Sequence, residues 1–394
     1  MRHEPTLDHG SIAVLGVLTI CTYGSWYYAF GVLFDPIRED TGWNESSLAA
    51  SFSAGTILIG LGSLFGGRML DRLGMRTVFL TAAVIGGMAY LVGSFAENVM
   101  VFTVAVAIGM GAFGSLGFYH VTMTVAVRAN PQQPGRAIAV LTLWGALASA
   151  IFLPLTAQLV ERFDWRVTMR ILTAAPVIMF VIAILVVVEL EPGTTERPSA
   201  LRDVIRAILT DPASRSFTAA VAFGGIALAT LLVYQVPVMS AAGLPLATAA
   251  TVAAVRGVFQ LSGRLPIAAI VSRLGTSSSL IVAFGAMAVG SAVLAVAGSV
   301  PVAAIFAVTA GFGIGAFSPL QGMRSEELYD RAMLGAAMGF QGTVLMLAGA
   351  IGPVVSGVIA EQTGERRWAA VIAAVASVLA AIFITRAAAA TTTR

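Results

Sequence analysis

The chain has 394 residues, of which 58% are hydrophobic and 11% charged, with a formal net charge of +3. A soluble domain carries about 25% charged residues, so these proportions exclude a water-soluble enzyme or binding domain and point to an integral membrane protein. The small positive balance is scattered over loops, which excludes a nucleic-acid footprint, and the single cysteine, Cys21, excludes an internal disulfide. All 23 basic residues are arginine, so lysine enters no mechanism.

Residues 1–11 form a short polar tail with no cleavage site, so no removable signal peptide is expected. Apolar runs of spanning length follow at 12–34, 47–68, 76–96, 99–127, 137–160 and 167–189. A polar stretch, 190–215, carries Pro, Gly and charges and then LRDVIRAIL at helical spacing, which predicts a linker with a short surface helix. Six further runs cover 216–239, 246–272, 278–298, 301–323, 333–360 and 366–386, and a tail of 387–394 closes the chain. The expected fold is an all-α membrane protein with twelve transmembrane helices. They form two pseudo-symmetric halves, six-helix bundles over 12–189 and 216–386.

An even number of spans puts both termini on one side of the membrane. Loop and tail arginines divide fifteen to five in favour of the side holding the termini and the linker, which predicts that side to be cytoplasmic in a multi-pass cytoplasmic (inner) membrane protein. The halves also repeat. Gly62–Gly74 (GSLFGGRMLDRLG) aligns without gaps on Gly263–Gly275 (GRLPIAAIVSRLG) at an offset of 201. Two copies of a six-span unit in one orientation imply a cavity between the halves.

The junction of the second and third spans reads Gly67-Arg68-Met69-Leu70-Asp71-Arg72-Leu73-Gly74-Met75-Arg76. It resembles the loop signature of the major facilitator superfamily, with Gly67, Asp71, Arg72, Gly74 and Arg76 in place. The resemblance implies a secondary transporter whose loop latches one face of the protein. The glycines would allow close helix approach, and Asp71 would cap a helix of the other half or pair with an arginine. The second copy has Ser272 in place of Asp71, so the latch should be asymmetric.

The eighth span carries Arg256, Gln260 and Arg264 at i, i+4, i+8, on one side of a helix. Arg264 lies eleven residues from Gly275, roughly 16 Å into a core about 30 Å thick, too deep to snorkel comfortably. Two readings stand for Arg256: a snorkelling anchor nearer the other face, or a second cavity arginine. The first two spans (YYAFGVLFDPIREDTGWNESSLAASFSAG) and this arginine, with Pro266 close behind, are similar to the monocarboxylate and oxalate–formate porter group of the superfamily. In that group an arginine on the eighth span binds the substrate carboxylate. Gln260 stands where those porters often have an aspartate, and their lysines are missing here, with Gln341 the nearest polar residue on the eleventh span. No Asp or Glu falls in the middle of a span, so an anionic guest would supply the countercharge.

Tyr119 and His120 follow a glycine-rich run on the fourth span. Tyr119 would donate its hydroxyl to a carboxylate, as a tyrosine of this span does in similar porters. His120 is either a proton carrier or a histidine hydrogen-bonded to a neighbouring helix. Adjacent helical residues point about 100° apart, so at most one of the two should face the cavity squarely. Tyr28 and Tyr234, on the first and seventh spans, are either interfacial aromatics or cavity walls.

The chain is therefore expected to move a small organic anion, a monocarboxylate before others, by alternating access, with a co-transported proton as one form of coupling. Efflux of drugs or metabolites through a broad apolar cavity is the alternative. No cofactor or metal is expected, nothing supplies a nucleophile with its base, and the partners are the anion, a proton and membrane lipid, with the chain a monomer. A non-transporting sensor would need a longer cytoplasmic tail or domain.

Overall fold

The computed structural model describes residues 8–188 and 201–392, and these are almost entirely helical. Residues 1–7, 189–200 and 393–394 lie outside the described residues; they fall in the predicted tails and linker, apart from residue 189, the predicted end of the sixth span. Helix is what a chain must adopt in hydrocarbon, because no water is there to satisfy free backbone groups.

Ten helices among the described residues are long and apolar enough to span a membrane. An eleventh span is the bent pair Leu246–Arg264 and Ile267–Leu274, whose two pieces meet at 53°. The twelfth is hidden in the 49-residue helix Glu45–Gly93, which is two spans joined at Gly74. There the backbone takes φ 76° and ψ 162°, a region open essentially to glycine, and the chain reverses. The spans are then His9–Thr41 (first), Glu45–Gly93 (second and third), Val99–Ala129 (fourth), Pro134–Arg162 (fifth) and Trp165–Val186 (sixth). The second half has Pro212–Ala241 (seventh), the bent pair (eighth), Thr276–Leu294 (ninth), Val300–Leu328 (tenth), Met333–Thr363 (eleventh) and Arg367–Thr391 (twelfth).

The internal repeat is visible in the backbone. Gly275 takes φ 76° and ψ 163°, the geometry of Gly74 at the same offset of 201. Gly42 and Gly243 keep the same offset and also have positive φ, at 67° and 100°. Between the halves, the helix of the linker, Leu201–Thr210, packs Val204 and Ile208 on Tyr329 and Ala337 at the end of the tenth span and the start of the eleventh.

The two halves touch at one end and part at the other. At the end away from the termini, here called the outer face, Arg366 bridges Asp35 and Glu45 of the first half. The Ser46 amide and hydroxyl donate to Glu361 Oε1 there at 2.9 and 3.1 Å. Deeper, the Thr343 hydroxyl donates to the Gly60 carbonyl at 3.2 Å, and Gly31 lies against the carbonyls of Leu232 and Val233. Toward the face bearing the termini these contacts stop. Ile267–Leu274, which leads to that face, has no buried residue. The molecule is closed at its outer face and open at the face of its termini.

Candidate functional site

Four spans depart from regular helix at one level of the bundle. The first span turns through a π-helical segment, Tyr23–Tyr28. The fourth breaks at Phe118, which is extended at φ −80° and ψ 176°, so that Tyr119 starts a new helix. The fifth divides into Pro134–Ala146 and Ala148–Arg162, and the eighth bends just after Arg264, where Pro266 has no amide hydrogen to give. Such interruptions survive at membrane depth only where protein or a water-filled cavity takes up the freed backbone groups.

Those breaks bring Arg264, Tyr119, Tyr28 and Tyr23 together. The Tyr119 hydroxyl and Arg264 Nη1 both point at the Thr142 carbonyl of the fifth span, at 3.2 and 3.5 Å. Arg264 Nε is buried and has no hydrogen-bond partner. Tyr23 stacks on Phe118 with centroids 3.7 Å apart and sits 5.3 Å from the Tyr119 ring. The Tyr28 ring is 6.3 Å from that of Tyr23, and its phenol lies within the electrostatic reach of both Arg256 and Arg264. Arg264 is only half-buried, as expected of a group that borders the open side.

Arg256 is fully buried. It turns into the protein, so the snorkelling alternative is set aside. Its Nε donates to Gln235 Oε1 at 2.7 Å, while both Nη atoms are buried without a partner. Gln260 is also buried, and its backbone packs against Gly315 of the tenth span. Among the described residues neither Arg256 nor Arg264 forms an ion pair.

Three sequence expectations are corrected or narrowed. Tyr234 does not line the wall near Arg264: it is buried at the closed outer face, its ring centroid 5.4 Å from that of Phe34. The reason is register, since Tyr234 lies seven residues from the end of its helix at Ala241, whereas Tyr28 is thirteen residues short of Thr41. His120 is not beside Arg264. Its Nε2 bonds the Ser115 carbonyl at 2.8 Å, a group that the break at Phe118 removes from the regular helix ladder, and the ring lies by Gly66 of the second span. In the loop signature, Asp71 pairs with Arg128 of its own half, Gly67 approaches no helix, and Arg72 and Arg76 are exposed. In this conformation the ion pairs between the halves are on the other face.

Sequence reasoning missed Tyr23, Gln235 and the Thr142 carbonyl. Nothing in a sequence marks a backbone carbonyl as a ligand, and Tyr23 reads as one more aromatic in an apolar run. Gln235 reads as one more polar residue beside Tyr234, with nothing to mark it as the partner of Arg256.

The sequence profile of the Major Facilitator Superfamily matches residues 15–323 and 237–393. The chain belongs to that superfamily. It is thus a transporter and not an enzyme, with the twelve-helix fold of the family. Solved structures similar to it include the nucleoside transporter NupG (TM-score 0.80, 14% identity, 97% of this chain and 98% of that one). A D-xylose-proton symporter matches with TM-score 0.75 and 16% identity over 95% and 97% of the two chains. A POT family transporter in complex with 5-aminolevulinic acid matches with TM-score 0.77 and 13% identity over 96% of each. At these identities the likeness is one of fold. A sequence relative is YdjK of Escherichia coli (strain K12), provisionally named as a metabolite transport protein, 30% identical over 182 residues. That alignment spans 44% of this chain and 37% of YdjK.

Proposed function

We propose that this superfamily transporter carries a small organic anion, whose carboxylate sits on Arg264 with Tyr119 and Tyr28 beside it and Gln260 a turn away. One observation carries the reading: two guanidiniums within one span, Arg264 beside the Tyr119 hydroxyl and Arg256 buried, with no carboxylate of the described residues paired to either. An unpaired cation at that depth costs several kcal/mol, and a guest carboxylate offsets this by two parallel, charge-assisted hydrogen bonds. A monocarboxylate is the minimal guest, as the resemblance to the carboxylate porters also suggests.

The arginine count supports termini in the cytoplasm and hence an inner-membrane carrier open to the cytoplasm in this conformation. The halves would rock about the site as a monomeric unit, with the Asp71–Arg72 loop closing the cytoplasmic face in the opposite state. In a proton-coupled cycle His120 is the carrier we assign, because its imidazole can take up and release a proton at membrane depth.

The test is thermal stabilisation of the purified protein by a panel of short carboxylates at two pH values, against a nucleoside and D-xylose as controls. Carboxylates should raise Tm and the controls should not. Stabilisation by the uncharged controls alone would overturn the anion reading.

A further inference from the structure

The first span uses a π-helical turn to set two rings side by side. In a regular α-helix, residues five apart point about 140° away from each other, so Tyr23 and Tyr28 would face different neighbours. The segment Tyr23–Tyr28, closed by i→i+5 bonds, draws residues of that spacing onto one side. Their ring centroids stand 6.3 Å apart. The break at Phe118 brings a third ring from the fourth span, that of Tyr119, to 5.3 Å from Tyr23. Two buried rings back this group. Phe118 stacks on one face of Tyr23 at 3.7 Å, and Tyr27 stands edge-on to Tyr23 and Tyr28 at 5.9 and 5.7 Å.

Tyr23, Tyr28 and Tyr119 are each only half-buried. The π-helical turn is flanked by the fourth, fifth, sixth and seventh spans, so the ring surface left uncovered faces the opening between the halves and not lipid. At the edge of this aromatic wall the Tyr119 hydroxyl and Arg264 Nη1 converge on the Thr142 carbonyl.

We propose that the substrate is an aryl carboxylate, a planar aromatic ring that brings its carboxylate to Arg264 and lies against the rings of Tyr23, Tyr28 and Tyr119. The proposal rests on the reading that Arg264 holds a carboxylate, and it adds the chemistry of the body behind that group. Aromatic rings meet one another in offset-stacked or edge-to-face contact, which is favourable beyond the area it buries. A saturated acid of the same size gains the area alone. The arginine thus selects the charge and the tyrosines select a flat ring.

The experiment is calorimetric titration of the purified full chain in detergent with benzoate, cyclohexanecarboxylate and benzamide, in wild type, Tyr23→Leu and Arg264→Ala. Cyclohexanecarboxylate matches benzoate in charge and ring size and is the more apolar, so burial by itself favours it. Benzamide keeps the shape of benzoate without the charge. Wild type should bind benzoate about fivefold or more tightly than cyclohexanecarboxylate and about tenfold or more tightly than benzamide. Tyr23→Leu should bring the two acids to equal affinity. Arg264→Ala should bind neither, which also excludes uptake by the micelle. Wild-type affinity for cyclohexanecarboxylate equal to or above that for benzoate overturns the aryl proposal and leaves the anion reading in place, as does an undiminished benzoate preference in folded Tyr23→Leu. Benzamide binding as tightly as benzoate overturns the anion reading and the proposal with it. Binding of none of the three overturns the aryl proposal as well. The wild-type series needs no variant, so it decides the matter even where Tyr23→Leu fails to fold.

Discussion

The Tyr119 hydroxyl occupies the space that a side chain at Gly145 would need: a Cβ there would stand 1.8 Å from the phenolic oxygen. The fifth span carries a glycine where it passes the site, and that gap lets the tyrosine reach the Thr142 carbonyl beside Arg264. Gly145→Ala should therefore displace the Tyr119 hydroxyl without removing any hydrogen-bonding group. Uptake by proteoliposomes should fall by tenfold or more while the variant inserts and remains folded, and Tyr119→Phe should show a smaller loss. Wild-type uptake by Gly145→Ala would mean that the hydroxyl position does not matter to transport.

Arg264→Ala should abolish uptake in proteoliposomes with normal membrane insertion. Arg264→Lys should restore little, because an ammonium cannot present a planar fork to a carboxylate. Substantial transport by either variant would remove this arginine from the binding step.

Arg366 should act as a cross-half tie. Its Nη2 is 2.7 Å from Asp35 Oδ1 and its Nε 3.0 Å from Glu45 Oε2, and all three side chains are largely buried. Arg366→Gln should shift the population toward the state open at the outer face. A thiol introduced by Tyr234→Cys, buried behind the tie, should then react at least several-fold faster with a membrane-impermeant maleimide added from that side. An unchanged labelling rate would show that the Ser46–Glu361 bonds and packing hold that face shut without Arg366.

His120→Gln distinguishes two roles for one residue. A glutamine amide can still donate to the Ser115 carbonyl that His120 bonds at 2.8 Å, but it carries no proton in the neutral range. Loss of pH dependence with binding retained would assign the coupling to His120. A wild-type pH profile would leave His120 as a partner for the carbonyl freed at Phe118.

Gly74→Ala and Gly275→Ala should each destabilise the protein by about 1–3 kcal/mol, the cost of a side chain in a backbone region reserved for glycine. Both positions have φ 76°, and a Cβ at Gly275 would meet no atom, so the loss there comes from the backbone and not from crowding. Lowered Tm for both, with substrate affinity unchanged, is the expected result.

The scaffold was readable in advance because its causes are local. A run of apolar residues must become helix in lipid, and the same sequence spacing between Gly74 and Gly275 that suggested a repeat reappears as the same pair of backbone angles. The site was readable only in part. Arg264 announced itself as a charge in an apolar run, but its neighbours were assembled by contacts between distant segments. Thr142 reaches it across 122 positions, and Arg366 meets Glu45 across 321. Tyr28 and Tyr234 looked equivalent from their places in the two halves, yet one lies at the arginines and the other under the outer tie, because their distances from the helix ends differ. Arg256 shows the limit most plainly: its depth was legible, whereas its inward turn depends on Gln235, twenty-one positions away on another helix.

The outer tie has an uneven construction: both acids come from one half and the single cation from the other. Withdrawing that cation undoes both ion pairs in one movement, while the bonds from Ser46 to Glu361 form a second, separate fastening beside it. Opening that face therefore has to break two separate fastenings, one ionic and one a carboxylate accepting from an amide and a hydroxyl.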